Sequence, residues 1–204
     1  IDALDEGLLN LLERRFACVE RVRSAKGDNG QASPLRPERE AFILRRLLRR
    51  AGAGGVPPEL VVRIWRAIMI EASLAQAPIT IHVSRRFTQT MGNRLRLRDY
   101  FGPVAVEDYR DEAQALYQIN GNLLDLCVVE TDSPWLEAFL DGKAGRAQVI
   151  AVLPFLKTGE APALLVIGHA RAVATGEDET LLVSDGKLPR DFVPAPLWEV
   201  KIGS

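Results

Sequence analysis

The chain has 204 residues, 26 Lys+Arg against 27 Asp+Glu, two His, a formal net charge of -1 and a hydrophobic fraction of 47%. That length suits one large domain or two small ones, and the apolar content excludes wholesale disorder. Near-neutral charge gives no general attraction to nucleic acid or membrane surfaces, and no apolar run reaches the roughly 18–20 residues of a membrane span.

Residues 1–77 are arginine-rich, with twelve Arg and one Lys against ten acids, or +3; the remainder carries 13 cations against 17 acids, or -4. Guanidinium groups grip carboxylates and phosphates bidentately. The codon bias of a GC-rich genome accounts for the same composition. A first helix is expected over Ile1–Lys26, with apolar residues at Ile1, Leu4, Leu8, Leu11, Leu12, Val19 and Val22. Gly27–Pro34 is a loop by composition. A second helix starts near Pro37 and runs to about Arg50, where AGAGGVPP breaks it. A third runs from about Pro58 to Ala77, closed by Pro78.

Beyond Pro78 the period shortens. Strands are expected at Ile79–Val83, Val104–Val106, Leu123–Val129, Gln148–Leu153, Ala163–Ile167 and Thr180–Val183. Helices are expected at Arg94–Phe101, Glu112–Ile119 and Trp135–Leu140. The whole reads as α plus α/β: a three-helix unit over 1–77, then a small α/β layer domain over 78–204.

Several charges fall on apolar faces. With residues spaced at 100° and Leu8 at zero, Arg15 lies near -20° and Lys26 near 0°, inside the stripe. A charge there needs a partner or an anionic ligand. A snorkelling Arg15 and a Lys26 beyond the packed region satisfy the same pattern. In the second helix Glu40 falls inside the stripe and Arg39 at its edge, although acids in a first turn also favour the helix dipole. In the third, Gln76 borders the face of Val61, Ile64, Ile68 and Ala72. The set has no nucleophile–base pair and no metal cluster. It suits a small dianion held by cations, with further polarity from an amide and an ammonium.

Residues 1–77 resemble the all-helical chorismate mutases. IDALDEGLLNLLERR is similar to that family's first helix and VRSAK to its continuation. RPEREAFILRRL is similar to the start of its second helix, and VVRIWRAIMIEASLAQ to its third. The resemblance implies that Arg15 and Arg39 grip the substrate carboxylates, with Arg36 beside them. It implies that Lys26 and Gln76 donate to the ether oxygen and that Glu40 binds the ring hydroxyl. It further implies chorismate as substrate, prephenate as product, no cofactor or metal, and an intertwined homodimer sharing two sites. Arg36 stands where many members carry an acid, and Ala72 where some carry Ser. The family's early Arg, which reaches the partner's site, would lie upstream of Ile1.

The second half more weakly resembles one lobe of a prephenate dehydratase, through FGPVAVEDYRDEAQALYQINGNLLDLCVVETDSPW and PALLVIGHARAVATGEDETLLV. That family's Thr-Arg-Phe falls here at Pro162-Ala163-Leu164, which lack its hydroxyl and guanidinium. Arg190-Asp191-Phe192 echoes it too late in the chain. Dehydration is therefore not expected. His82 and His169 read as structural, and Trp135 and Trp198 as packing residues. Cys18 and Cys127 have no metal or redox spacing and suit the reducing cytoplasm. The charged opening at Asp2, Asp5 and Glu6 is unlike a signal peptide. The leading function is chorismate mutase in aromatic amino acid biosynthesis. The alternatives are an isochorismate pyruvate lyase on the same helical scaffold, and a non-catalytic sensor of an aromatic metabolite.

Overall fold

A computed structural model describes residues 1–26, 35–156, 162–170, 173–175, 177–184, 186–187, 189, 199–200 and 202. The chain begins with α1 (Asp2–Lys26), α2 (Pro37–Gly54) and α3 (Pro58–Leu74). Pro37 and Pro58 occupy first-turn positions, where the missing N–H costs nothing. Helix α2 runs past the expected Arg50 and stops at Gly55, whose φ of 71° is left-handed and whose N–H closes onto the Ala51 carbonyl.

Then follow β1 (Thr80–Ser84), α4 (Arg85–Gln89), α5 (Met91–Phe101), β2 (Ala105–Tyr109), α6 (Glu112–Gln118), β3 (Leu126–Glu130), α7 (Leu136–Leu140), β4 (Gln148–Leu153) and β5 (Leu164–Gly168). Every expected strand up to residue 168 forms. The short α4 was not anticipated; Ser84 caps it by accepting from the Phe87 N–H. Thr180–Val183 is a correction: these residues are described but form no strand, and Leu181, Leu182 and Val183 lie exposed. An apolar run becomes a strand only where an edge accepts it.

The strands form one mixed sheet in the order β2-β1-β3-β5-β4. β1 pairs in parallel with β2 and β3, and β5 runs antiparallel to both β3 and β4. Alternate residues of β1, β3 and β5 serve opposite faces. Ile81, Val83, Leu126, Val128, Leu164 and Val166 face a core with Phe87, Leu97 and Phe101. Cys127, Val129, Leu165 and Ile167 face a second core with Leu116, Ile119 and Trp135. Burial on both faces explains why these strands read as unbroken apolar runs.

The first core also takes in Leu35, just before α2, and Ile70 of α3. The helical and α/β units thus share buried apolar surface. On α3 the buried residues are Val61, Arg66, Met69, Ile70, Ala72 and Ser73. The expected face is only partly right, since Ile64 is 42% exposed and Leu60 beside it 43%. Helix α3 carries two apolar faces, one against the sheet unit and one uncovered. Among the residues of α1 whose burial is described, none is buried, and Gly7, Leu12, Arg15 and Val19 are half-buried.

Candidate active site

The expected site residues lie on the three N-terminal helices. Arg15 projects from α1 to α3, where its Nη1 donates to the Ile68 carbonyl at 3.4 Å. Burial pushes its guanidinium below the ordinary value. Among the described residues this hydrogen bond ties the side chain of Arg15 to α3, so its place in the stripe already has a consequence within a single chain. Lys26 ends α1, eleven residues on and three turns away along the same face; its side chain lies outside the described residues.

At the start of α2, Arg36 is exposed and its Nε meets Glu38 Oε1 at 3.2 Å. Arg39 is exposed and stands 5.5 Å from the Phe42 ring centroid. Both guanidiniums remain open to solvent on one side. Glu40, one residue on, turns inward and pairs its Oε2 with Nη1 of Arg66. Gln76 sits just beyond the end of α3, half-buried, and its Nε2 donates to the Ala72 carbonyl at 2.9 Å. Among the described residues no side-chain hydrogen bond or ion pair joins any two of Arg15, Arg36, Arg39, Glu40 and Gln76; Arg39 and Glu40 meet Arg36 only through their backbone N–H groups, which donate to its carbonyl at 2.9 Å in the first turn of α2. Within one protomer they are separate groups on neighbouring helices.

Arg66 is the residue that sequence reasoning passed over. Its side chain is 2% exposed, deep between α2, α3 and α5. Nε and Nη2 both donate to the Tyr100 carbonyl at 3.2 Å, and the guanidinium lies 3.5 Å from the Tyr100 ring centroid. Desolvation raises the Tyr100 phenol above its ordinary value, against the opposing pull of the Arg66 charge. The available signal was spacing: Ile70 and Ser73 follow Arg66 by four and seven residues and are buried on its face.

The α/β unit holds its own polar cluster. His82, buried on β1, places Nε2 3.2 Å from Asp125 Oδ2 and Nδ1 3.1 Å from the Tyr109 hydroxyl. Tyr109 donates to Glu107 at 2.6 Å. Desolvation, followed by that hydrogen bond and the charges of Glu107 and Asp125, pushes its phenol up to about 12. His169 Nε2 donates to the Ile119 carbonyl at 3.2 Å. Both histidines thus have structural partners that the sequence did not reveal. Trp135 is fully buried, its Nε1 donating to the Thr131 carbonyl at 3.3 Å. Cys127 is also buried, and desolvation raises its thiol.

At Pro162-Ala163 the backbone is occupied by pairing. The Pro162 carbonyl accepts the Thr131 hydroxyl at 2.5 Å, the Ala163 carbonyl accepts Thr131 N, and Ala163 N donates to the Leu153 carbonyl. Arg190-Asp191-Phe192 and Trp198 lie outside the described residues. Among the described residues no group of three or more His, Cys, Asp or Glu is placed to hold a metal ion.

The helical unit that carries Arg15, Arg36, Arg39 and Glu40 is also the stretch in which this chain is similar to known proteins. Residues 1–77 match the family described as chorismate mutase type II. The matched stretch is the three-helix unit, and a mixed-sheet α/β unit follows it. A bifunctional chorismate mutase/prephenate dehydratase of Neisseria gonorrhoeae is 35% identical over 81 residues, which are 40% of this chain and 21% of that protein. The T-protein of Enterobacter agglomerans is 39% identical over 72 residues, 35% of this chain and 19% of that protein. The chain thus spans about a fifth of the length of these curated relatives. No solved structure matches.

Proposed function

We propose that the protein is a chorismate mutase, an isomerase that rearranges chorismate to prephenate in aromatic amino acid biosynthesis. The reading rests on the chorismate mutase type II match across residues 1–77. That stretch contains the ordered set Arg15, Lys26, Arg39, Glu40 and Gln76. In this reading Arg15 and Arg39, with Arg36 beside them, bind the two substrate carboxylates. Glu40 accepts from the ring hydroxyl. Lys26 and Gln76 donate to the ether oxygen.

The rearrangement needs no covalent help from the protein. Two physical effects serve it. Cations on both carboxylates confine a flexible molecule to the compact conformer in which the reacting ends meet. Preorganised donors then stabilise the ether oxygen as its bond breaks and its negative charge grows.

The site is assembled in a homodimer. Its support is the unpartnered apolar surface of the helical unit: Ile1 is 95% exposed, Leu4 72% and Leu8 60%, and Leu60 and Ile64 on α3 are also open. A second copy of α1, about 37 Å long at 1.5 Å per residue, has the length to cover such a surface. The α/β unit is a dehydratase-like lobe without dehydration chemistry, because Pro162 and Ala163 offer neither an acid for a leaving hydroxyl nor a cation for a carboxylate. No helix among the described residues is long and apolar enough to cross a membrane, and we place the enzyme in the cytoplasm.

Parallel assays with chorismate and isochorismate test the reading. Prephenate from chorismate is expected. Salicylate plus pyruvate from isochorismate would instead identify a lyase, and inertness toward both a sensor. Lys26→Ala is expected to lower kcat at least ~100-fold, the low end for loss of a transition-state donor. Near-normal turnover would make Lys26 a helix-end charge.

A further inference from the structure

Arg66 stands at the only described point where a residue assigned to the mutase site is tied, through one side chain, to the α/β unit. Its guanidinium is constrained in three ways. The Nε and Nη2 edge forks onto the Tyr100 carbonyl, one planar face lies against the Tyr100 ring, and Nη1 is left pointing at Glu40. Such a planar group, fixed on one edge and one face, presents its remaining donor in one direction. Glu40 is only partly exposed, at 13%, and its Oε2 takes that donor while Oε1 stands outside the pair.

We propose that Arg66 is a positioning residue. It fixes the rotamer of the Glu40 carboxylate so that the other oxygen meets the substrate hydroxyl, and it is itself held in register by Tyr100 of the α/β unit. This rests on the mutase reading given above. A free glutamate would have to give up rotamer freedom each time substrate binds. A glutamate already held by a buried guanidinium has given it up on folding. The α/β unit then has a role in the mutase reaction although its dehydratase-like motif is lost: α5 supplies the carbonyl and ring that orient Arg66. It also accounts for the conspicuous choice of Arg at a position where α3 otherwise buries Met69, Ile70 and Ala72.

The test is a double-mutant cycle on the full chain. The rate on chorismate is measured for the parent, Arg66→Met, Glu40→Gln and the double variant, with Tyr100→Leu alone and with Glu40→Gln as a second cycle. Urea unfolding of each variant reports the folded fraction. Arg66→Met is expected to lower kcat/KM about tenfold or more in the parent, and no more than about twofold once Glu40 is Gln, the non-additivity of residues acting as one unit. Tyr100→Leu, which keeps the carbonyl, is expected to show a smaller loss with the same dependence on Glu40. It serves as the test if Arg66→Met fails to fold. A merely structural Arg66 predicts the same loss in both backgrounds, and that result in an active protein overturns the proposal alone. A parent protein inert toward chorismate removes the mutase reading, and the catalytic role of Arg66 falls with it.

Discussion

Ile81, Leu116, Cys127 and Ile167 of the α/β unit are wholly buried within one chain, while Ile1, Leu4, Leu8 and Leu11 of α1 stand in water. Both regions have apolar residues at regular spacing, yet only one has something to pack them against. A sheet covered on both faces by its own helices satisfies its hydrophobic surface internally. A 25-residue helix beside two shorter ones extends past them. Burial of a Leu or Ile side chain is worth roughly 1.5–3 kcal/mol, so a row of exposed ones is a strong drive toward a further surface. In the proposed homodimer, the contrast separates residues that hold one chain together from residues that would meet the second copy.

The largest effect is expected where that distinction is sharpest. Leu4→Glu with Leu8→Glu places two charges in the uncovered stripe, and a symmetric dimer receives each of them twice. We expect loss of the dimer and of chorismate turnover, read by light scattering and rate, with the far-ultraviolet circular dichroism of the α/β unit retained. Persistence of a dimer would show that α1 does not form its interface.

Next in size is the reverse experiment. Leu165→Ala removes a side chain that is 1% exposed in the second core, at an expected cost of ~2–5 kcal/mol in unfolding free energy. Leu8→Ala, an identical change of side chain, should leave the intrinsic stability of an isolated protomer nearly unaltered. Equal losses in urea unfolding under dissociating conditions would erase the comparison.

The fold was legible in the sequence wherever period and punctuation agreed. Pro37 and Pro58 marked helix starts because proline is restricted by its own ring, independent of context; the expected end at Ala77 before Pro78 was too late, since α3 stops at Leu74. Strands β1, β3 and β5 were legible because both faces of each are buried, whereas the edge strands β2 and β4 are more exposed and were read from short apolar runs alone. Thr180–Val183 was misread because an apolar run says nothing about whether a sheet edge is free to receive it. The site was legible as a set of charges on apolar faces, but their partners were not. The choice of Glu40 for Arg66 depends on α5 lying against α3, a tertiary relation no helical wheel contains. Arg45 is similar: nothing in the sequence singles it out, yet its Nη1 meets Thr175 Oγ1 at 2.8 Å and its Nε meets Glu177 at 3.1 Å, tying α2 to a segment 130 residues away.

A smaller effect refines the α/β side of the comparison. Asp111 caps α6 by accepting the Gln114 N–H at 2.9 Å. That hydrogen bond, with help from Arg110 and against some desolvation, holds its carboxyl below the ordinary value. The stabilisation is fully present above the unfolded-state pKa and is lost as the pH falls through the lower folded value. Asp111→Ala is expected to cost ~1 kcal/mol at neutral pH, and the gap to the parent should close in acid. A gap that widens in acid would contradict the cap.

The proposed mutase turns over chorismate only as a pair of helical units. Size-exclusion light scattering, with prephenate formation assayed across the eluting peak, tests it most directly. Turnover is expected to coincide with a species of twice the 22.5 kDa chain mass. Full turnover in a species of single chain mass would contradict it.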